Sequence, residues 1–284
     1  MTVKLVTDST SYIDSKIQQQ LDIEIIPLSI HFLDESYKEN EIPYDYFYSK
    51  LDKKAVIPTS SQPSQGEIYT VFKKIVAQGY EVLGIFLSSE MSGTYHNALS
   101  AKERILQENP KARIEVLDSR TNCMALGIPV IESAKAAQNG QPLNEVTILA
   151  RQLIKRMHFY FIPATLEYLK KGGRIGGASA LIGSILNIKP ILYVNMGKTA
   201  LLERARGTRA ATERLMSLLD QEYQAHGLKE VIVQHINDLD KASEVAQNIF
   251  HRYGRDVQVL PIGPVIGLHV GPGTIGIIFC TEED

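Results

Sequence analysis

The chain has 284 residues, and its 30 Lys and Arg against 32 Asp and Glu give a formal net charge of −2. This balance excludes a general attraction to nucleic acid or to anionic membrane surfaces. Hydrophobic residues make up 44% and charged residues 22%, which is typical of a globular protein, and the length favours two domains.

The N-terminal sequence, the lack of long apolar runs and the positions of the two cysteines predict a cytoplasmic protein. MTVKLVTDST at the N-terminus carries an acidic residue at position 8 and is unlike a signal peptide. No apolar run reaches the roughly 20 residues that a membrane span needs. Cys123 and Cys280 lie far apart and outside any metal-ligand spacing, so we expect reduced, structural thiols and no metal or cofactor.

The first half of the chain alternates strand and helix patterns. Apolar, β-branched runs predict strands at 3–9, 23–32, 81–89 and 113–119. Helical periodicity predicts helices at 64–79, 92–106 and 123–140. The first of these helices begins with a capping box, because Ser64 is followed three residues later by Glu67.

The second half repeats this alternation. We expect strands at 159–165, 191–195, 230–237, 256–262 and 274–280, and helices at 166–190, 208–227 and 239–254. The fold class predicted is therefore α/β, with two lobes of largely parallel sheets and a ligand cleft between them. The lobes are expected to comprise residues 1–160 and 161–284.

Three polar clusters are candidates for a binding site. The first, LSSEMSGTYHNA at 87–98, follows a strand and begins a helix. It lacks the GxSxG of an α/β-hydrolase elbow, and His96 lies within the helix that Ser92 begins, so a Ser92 nucleophile is disfavoured. Ser92 and Thr94 can simply cap the helix, or the free amides at its N-terminus can receive a small anion.

The other two clusters are IPTSSQPSQGE at 57–67 and GPVIGLHVGPGTIG at 263–276. Loops that follow parallel strands meet at one edge of a sheet, so Thr59 and Ser92 are expected to converge on one anion. The Gly-Pro pairs of the third cluster predict turns. His269 is either a buried structural histidine or a hydrogen-bond donor to the same anion.

Taken together, these motifs resemble the DegV family of bacterial fatty-acid-binding proteins, the acyl-carrying subunits of fatty acid kinase. The resemblance rests on VTDST, TSSQPS, SSEMSGTYHNA, VLDSR, LEYLKKGGRIGG and GPVIGLHVGPGTIG. It implies a long-chain fatty acid whose carboxyl group is held by Thr59 and Ser92. Gly93, His269 and Arg174 are further head-group candidates by the same resemblance.

The resemblance also implies a partner: a separate ATP-binding kinase subunit would convert the bound fatty acid to an acyl phosphate for phospholipid synthesis. The family pattern TSQPS carries one extra serine here, so either Thr59 or Ser60 is the carboxylate ligand, with Thr59 favoured. The arginines of ERARGTR suggest that Arg204 or Arg206 docks the kinase. ALIGSILNI at 180–188 is a candidate lining for the acyl chain.

Two other functions remain open at this point. The runner-up is a small-molecule kinase or hydrolase that uses a cleft with Ser92 and His269. The third is a regulatory module that senses lipid without a kinase partner.

Overall fold

A computed structural model describes residues 2–53, 57–181 and 188–283. The chain divides into two compact units, each formed from two segments. The first unit comprises Met1–Glu41 and Ser60–Lys155, and the second comprises Ile42–Thr59 and Arg156–Asp284. Within the described ranges, no helix is long and apolar enough to cross a membrane.

The chain up to residue 155 contains the first unit and, at Ile42–Thr59, one segment of the second. Its elements are β1 (Val3–Asp8), α1 (Ser15–Gln20), β2 (Glu24–Ile26), β3 (Ser29–His31), β4 (Ser36–Lys38), α2 (Tyr44–Lys53), β5 (Thr59–Ser61), α3 (Gln65–Ala77), β6 (Glu81–Phe86), α4 (Thr94–Glu108), β7 (Ile114–Asp118), α5 (Met124–Gln138) and α6 (Leu143–Lys155). Strands β2, β1, β6 and β7 form a sheet in that order, and every adjacent pair is parallel. The parallel βαβ arrangement expected for the first lobe is confirmed.

Alternation of side chains along the strands divides this sheet into two apolar faces. One face packs against α3 and α4 through a cluster that includes Val6, Phe72, Val82, Phe86 and Ile114. Helix α5 is buried along most of its length and contacts β1, β6 and α6. Because both faces are covered by helices, ligands have access to this sheet at the ends of its strands.

The capping box predicted at the start of α3 is present. The Ser64 hydroxyl accepts from the amide of Glu67, and the Glu67 carboxylate accepts from the amide of Ser64 at 2.8 Å. The hydrogen bond from Lys38, followed by the Ser64 amide, lowers the pKa of Glu67 to about 2. This reciprocal pair fixes the chain direction just after the TSSQPS segment.

The second unit is built on a mixed sheet. Its elements after residue 155 are β8 (Met157–Ile162), α7 (Glu167–Gly172), β9 (Ile188–Asn195), β10 (Lys198–Arg206), α8 (Gly207–His226), β11 (Glu230–His235), α9 (Leu239–Tyr253), β12 (Gln258–Pro261), α10 (Pro264–Val270) and β13 (Ile275–Cys280). The strand order is β10-β9-β8-β13-β11-β12. Only β11 and β12 are paired in parallel among the described strands of this sheet; the other neighbours are antiparallel.

The α/β class is thus confirmed, but the second sheet differs from the largely parallel arrangement expected. One cause is the β9–β10 hairpin, whose turn residues Met196 and Gly197 both have positive φ, at 48° and 84°. Turns of that kind join antiparallel strands. The other cause is β13, which lies between β8 and β11 and is antiparallel to both.

Several predicted elements differ in extent. The run 23–32 is divided at Pro27 into β2 and β3, since proline cannot donate to a central ladder. The expected helix 166–190 ends at Gly172, followed by Gly173 in the left-handed region with φ 67°. Of the acyl-lining candidate ALIGSILNI, residues 182–187 lie outside the described part of the chain.

Candidate functional site

Ser92 lies in the loop between β6 and α4. Its amide donates to the Ser88 carbonyl at 3.1 Å, and its side chain is half-buried. Ser92 Oγ lies 2.9 Å from Thr94 Oγ1 and accepts from the Thr94 amide at 3.3 Å. When Thr94 Oγ1 is the donor of this pair, both lone pairs of the Ser92 hydroxyl are engaged, and its own proton can be donated to a ligand.

The other serines of this loop have structural partners. Ser89 Oγ donates to Asp118 Oδ2 at 2.6 Å, and the Ser89 amide donates to Asp118 Oδ1 at 3.2 Å. The Ser88 amide donates to the Thr121 carbonyl at 2.8 Å. These bonds attach the loop to the end of β7, which leaves Ser92 as the loop hydroxyl best suited to a ligand.

Asp8 attaches the beginning of the same loop to β1. It is fully buried; its Oδ2 accepts from the Leu87 amide at 2.8 Å, and its Oδ1 accepts from the amide and hydroxyl of Thr10. Burial outweighs these hydrogen bonds and raises the pKa of Asp8 to about 6. The VTDST motif gives no sign of this role for Asp8, because the bond to the Leu87 amide joins residues that are distant in the chain.

Gly93 is already engaged by the side chain of Gln62, a residue of the TSSQPS segment. Its amide donates to Gln62 Oε1 at 2.8 Å. A Cβ at position 93 would lie 2.5 Å from both Gln62 Nε2 and Oε1. Glycine is therefore required here for the carboxamide to pack against the start of α4, and the Gly93 amide meets Gln62 rather than standing open.

The TSSQPS segment is held on both sides of Gln62. His31 lies between two hydroxyls, with Nδ1 2.9 Å from Ser36 Oγ and Nε2 2.8 Å from Ser61 Oγ. On the other side, Asn97 Nδ2 in α4 donates to the Pro63 carbonyl at 2.9 Å. The segment is thus attached to the β3–β4 hairpin and to the same helix that Ser92 precedes.

Thr59 belongs to the second unit and is the first residue of β5. Its side chain is exposed, whereas Ser60 is half-buried and makes interactions of its own. An exposed threonine hydroxyl can donate one hydrogen bond and accept two. This difference favours Thr59 over Ser60 as a residue available to a ligand.

The second unit brings His269 and Arg174 together. The His269 ring, in α10, packs against Gly172 so closely that a Cβ there would lie 2.4 Å from Nδ1. Arg174 donates to the Gly172 carbonyl at 2.8 Å. Burial, and secondarily the Arg174 charge, lowers the pKa of His269 to about 4. The imidazole is therefore neutral at pH 7 and can donate one hydrogen bond to an anion beside the guanidinium.

The local Ser/His pair considered in the sequence analysis is not formed. His96 is exposed, and its ring lies edge-on to Tyr95 with centroids 5.4 Å apart. The Ser92 hydroxyl is instead paired with Thr94. A nucleophilic serine needs a base within hydrogen-bond distance, so α4 by itself offers no hydrolytic pair.

Comparisons with known proteins agree along the whole chain. The profile of an uncharacterised protein family, DegV, matches residues 2–282. A DegV domain-containing protein of Clostridium acetobutylicum is 44% identical over 284 residues, covering 100% of this chain and 99% of the relative.

Two solved structures of fatty-acid-binding proteins have the same fold. A fatty-acid-binding DegV family protein from Thermus thermophilus superimposes with a TM-score of 0.90 at 30% identity, covering 99% of this chain and 100% of the other. A stearic-acid-binding protein from Eubacterium ventriosum gives a TM-score of 0.89 at 25% identity, covering 99% and 98%.

Proposed function

This chain belongs to the DegV family, and on that premise we propose that it binds a long-chain fatty acid and presents the carboxyl group to a separate ATP-dependent kinase subunit. The observation that carries the proposal is the full-length similarity to structures of fatty-acid-binding proteins. The resemblance read from the sequence motifs is confirmed at the level of the family.

The carboxyl group is held by the hydroxyls of Ser92 and Thr59. Two features support Ser92: it precedes the N-terminus of a 15-residue helix, and its hydroxyl accepts from the Thr94 amide, so its proton can be donated to a ligand when Thr94 Oγ1 is the donor of the hydroxyl pair. His269, neutral and adjacent to Arg174, supplies a further donor. The hydroxyl and imidazole donors are neutral, and Arg174 is the charged head-group candidate beside His269. Hydrogen bonds from the neutral donors orient the carboxylate for phosphoryl transfer.

The acyl chain sets the affinity and the head group sets the orientation. At about 0.8 kcal/mol per buried CH₂, a chain of about fourteen methylenes gains on the order of 11 kcal/mol over water. A hydrogen bond to a charged group contributes roughly 1.5–3 kcal/mol. Loss of one head-group hydroxyl should therefore weaken binding and misplace the carboxyl group without releasing the lipid.

Arg204 and Arg206 are the proposed docking residues for the kinase subunit. Both are exposed on β10, an edge strand of its sheet, and alternate residues of a strand point to the same face. Within the described residues, neither guanidinium is in an ion pair. Arg214 and Arg209 nearby are instead paired with Glu203 and Glu213. Unpaired arginines on an exposed edge suit an acidic partner surface.

The deciding experiment is native mass spectrometry of the purified chain, followed by organic extraction. The proposal predicts a co-purified long-chain fatty acid, and acyl phosphate formed only after a fatty acid kinase ATP-binding subunit and ATP are added. A small-molecule kinase or hydrolase would instead turn over ATP or esters without any partner. A lipid-sensing module would contain the fatty acid but yield no acyl phosphate.

A further inference from the structure

We propose that Gln62 is a further head-group residue, whose Nε2 donates a hydrogen bond to the fatty acid carboxyl group held by Ser92. This inference rests on the proposed function and assigns a residue that the sequence motifs did not. The proposal predicts that the site distinguishes a carboxylate from an uncharged head group. The Gln62 carboxamide makes this distinction, and its orientation is fixed by the Gly93 amide.

The Gly93 amide determines which way the carboxamide faces. Because a backbone N–H needs an acceptor, its 2.8 Å bond selects Oε1 and leaves Nε2 as the donor atom of the planar group. Within the described residues, no acceptor is hydrogen-bonded to Nε2, and the side chain is exposed. The donor is therefore available at the residue next to Ser92.

The backbone around Gln62 is held before any ligand arrives. Ser61 is bonded to His31, and the carbonyl of Pro63 accepts from Asn97. A donor whose backbone is fixed at both neighbouring residues loses little freedom on binding, which is what orientation of a head group requires. An ordinary surface glutamine would have neither attachment.

The close approach to Gly93 is the second sign that the carboxamide has a defined place. A Cβ at position 93 would lie 2.5 Å from Nε2 and Oε1 and 2.8 Å from Cδ of Gln62. Gly93 has φ −78°, which alanine also adopts. Replacement by alanine should therefore displace the flexible Gln62 side chain and leave the helix intact.

The test uses Gln62→Glu, which keeps the shape and the acceptor for the Gly93 amide but replaces the Nε2 donor with an anionic oxygen. The matched control is Gln65→Glu, the same change at the exposed first residue of α3. Affinities for oleic acid and for oleyl alcohol are measured on the full, delipidated chain at pH 8 and pH 5. The alcohol reports the acyl chain without the carboxylate.

We expect Gln62→Glu to bind oleic acid at least tenfold more weakly than wild type at pH 8, through repulsion between adjacent carboxylates. The loss should shrink at pH 5, where one shared proton relieves the repulsion. Oleyl alcohol affinity should be unchanged, and Gln65→Glu should match wild type with both ligands.

A second variant separates the head-group role from a folding defect. In a Gly93→Ala background, where the carboxamide is displaced, Gln62→Glu should cause little further loss of oleic acid affinity. Wild-type oleic acid binding by Gln62→Glu, or an equal loss for acid and alcohol, would overturn the assignment of Gln62 alone. Failure of the wild-type chain to bind oleic acid would overturn the proposed function itself.

Discussion

Asp8 offers a quantitative test of how the first unit holds the Ser92 loop. Burial raises the pKa of Asp8 from 3.8 to about 6, against the opposing hydrogen bonds from Thr10 and Leu87. The folded chain therefore binds this proton more tightly than the unfolded chain. Stabilisation from Asp8 is full below pH 3.8 and is lost as the pH rises through 6. A pKa change of this size corresponds to about 3 kcal/mol.

The perturbation is Asp8→Asn, which removes the titration. In the variant, one side-chain oxygen becomes an NH₂ group, which, like the OH of a protonated carboxyl group, cannot accept from a backbone amide. The variant therefore matches protonated Asp8 in hydrogen bonding, and the two proteins should be closest in free energy of unfolding near pH 4. By pH 8 the wild type should have lost about 3 kcal/mol relative to the variant.

Urea unfolding followed by circular dichroism between pH 4 and pH 8 measures this difference. Contributions from other titrating groups, His269 among them, cancel between the two proteins as long as the variant leaves their surroundings unchanged. If the difference in free energy of unfolding between wild type and variant stays constant from pH 4 to pH 8, the carboxyl group of Asp8 does not titrate near pH 6. That result would refute the raised pKa of Asp8 and its explanation by burial.

Three further predictions concern the proposed function. Ser92→Ala combined with Thr59→Ala should keep the wild-type circular dichroism spectrum and weaken oleic acid binding by roughly 1.5–3 kcal/mol per lost hydrogen bond. Wild-type affinity and phosphorylation rate in this variant would contradict the head-group assignment. Binding of oleic acid should raise the pKa of His269 above about 4, because a nearby negative charge favours imidazolium. An NMR titration of the ring with and without ligand checks the sign, and an unchanged pKa argues against contact. Arg206→Ala should slow acyl-phosphate formation and alter its dependence on the concentration of this chain. Arg209→Ala is the control and should do neither, since Arg209 is already paired with Glu213. Equal rates for the two variants would exclude this docking site.

Features that depend on near neighbours in the chain were predictable. The capping box at Ser64 and the start of α4 after Ser92 follow from residues within one helical turn. The parallel sheet of the first unit follows from alternation of strand and helix patterns. Of the two Gly-Pro pairs in the last cluster, Gly271-Pro272 lies at a turn as predicted, whereas Pro264 begins α10 instead.

Features that depend on distant neighbours were not predictable. Asp8 meets the Leu87 amide across 79 residues, and Gln62 meets the Gly93 amide across 31. His31 reaches Ser61 across 30 residues. A single sequence does not reveal such contacts. An aspartate or a glutamine is the same letter in the sequence whether or not a distant residue hydrogen-bonds to its side chain.

The sequence by itself determined the family and the α/β class, since short motifs identify the family and hydrophobic periodicity identifies strands and helices. Only the tertiary structure decided that the Gly93 amide is occupied by Gln62, that His269 is neutral beside Arg174, and that β13 enters its sheet antiparallel. The physical reason is that hydrogen bonds, desolvation and strand order depend on which distant segments the folded chain brings into contact.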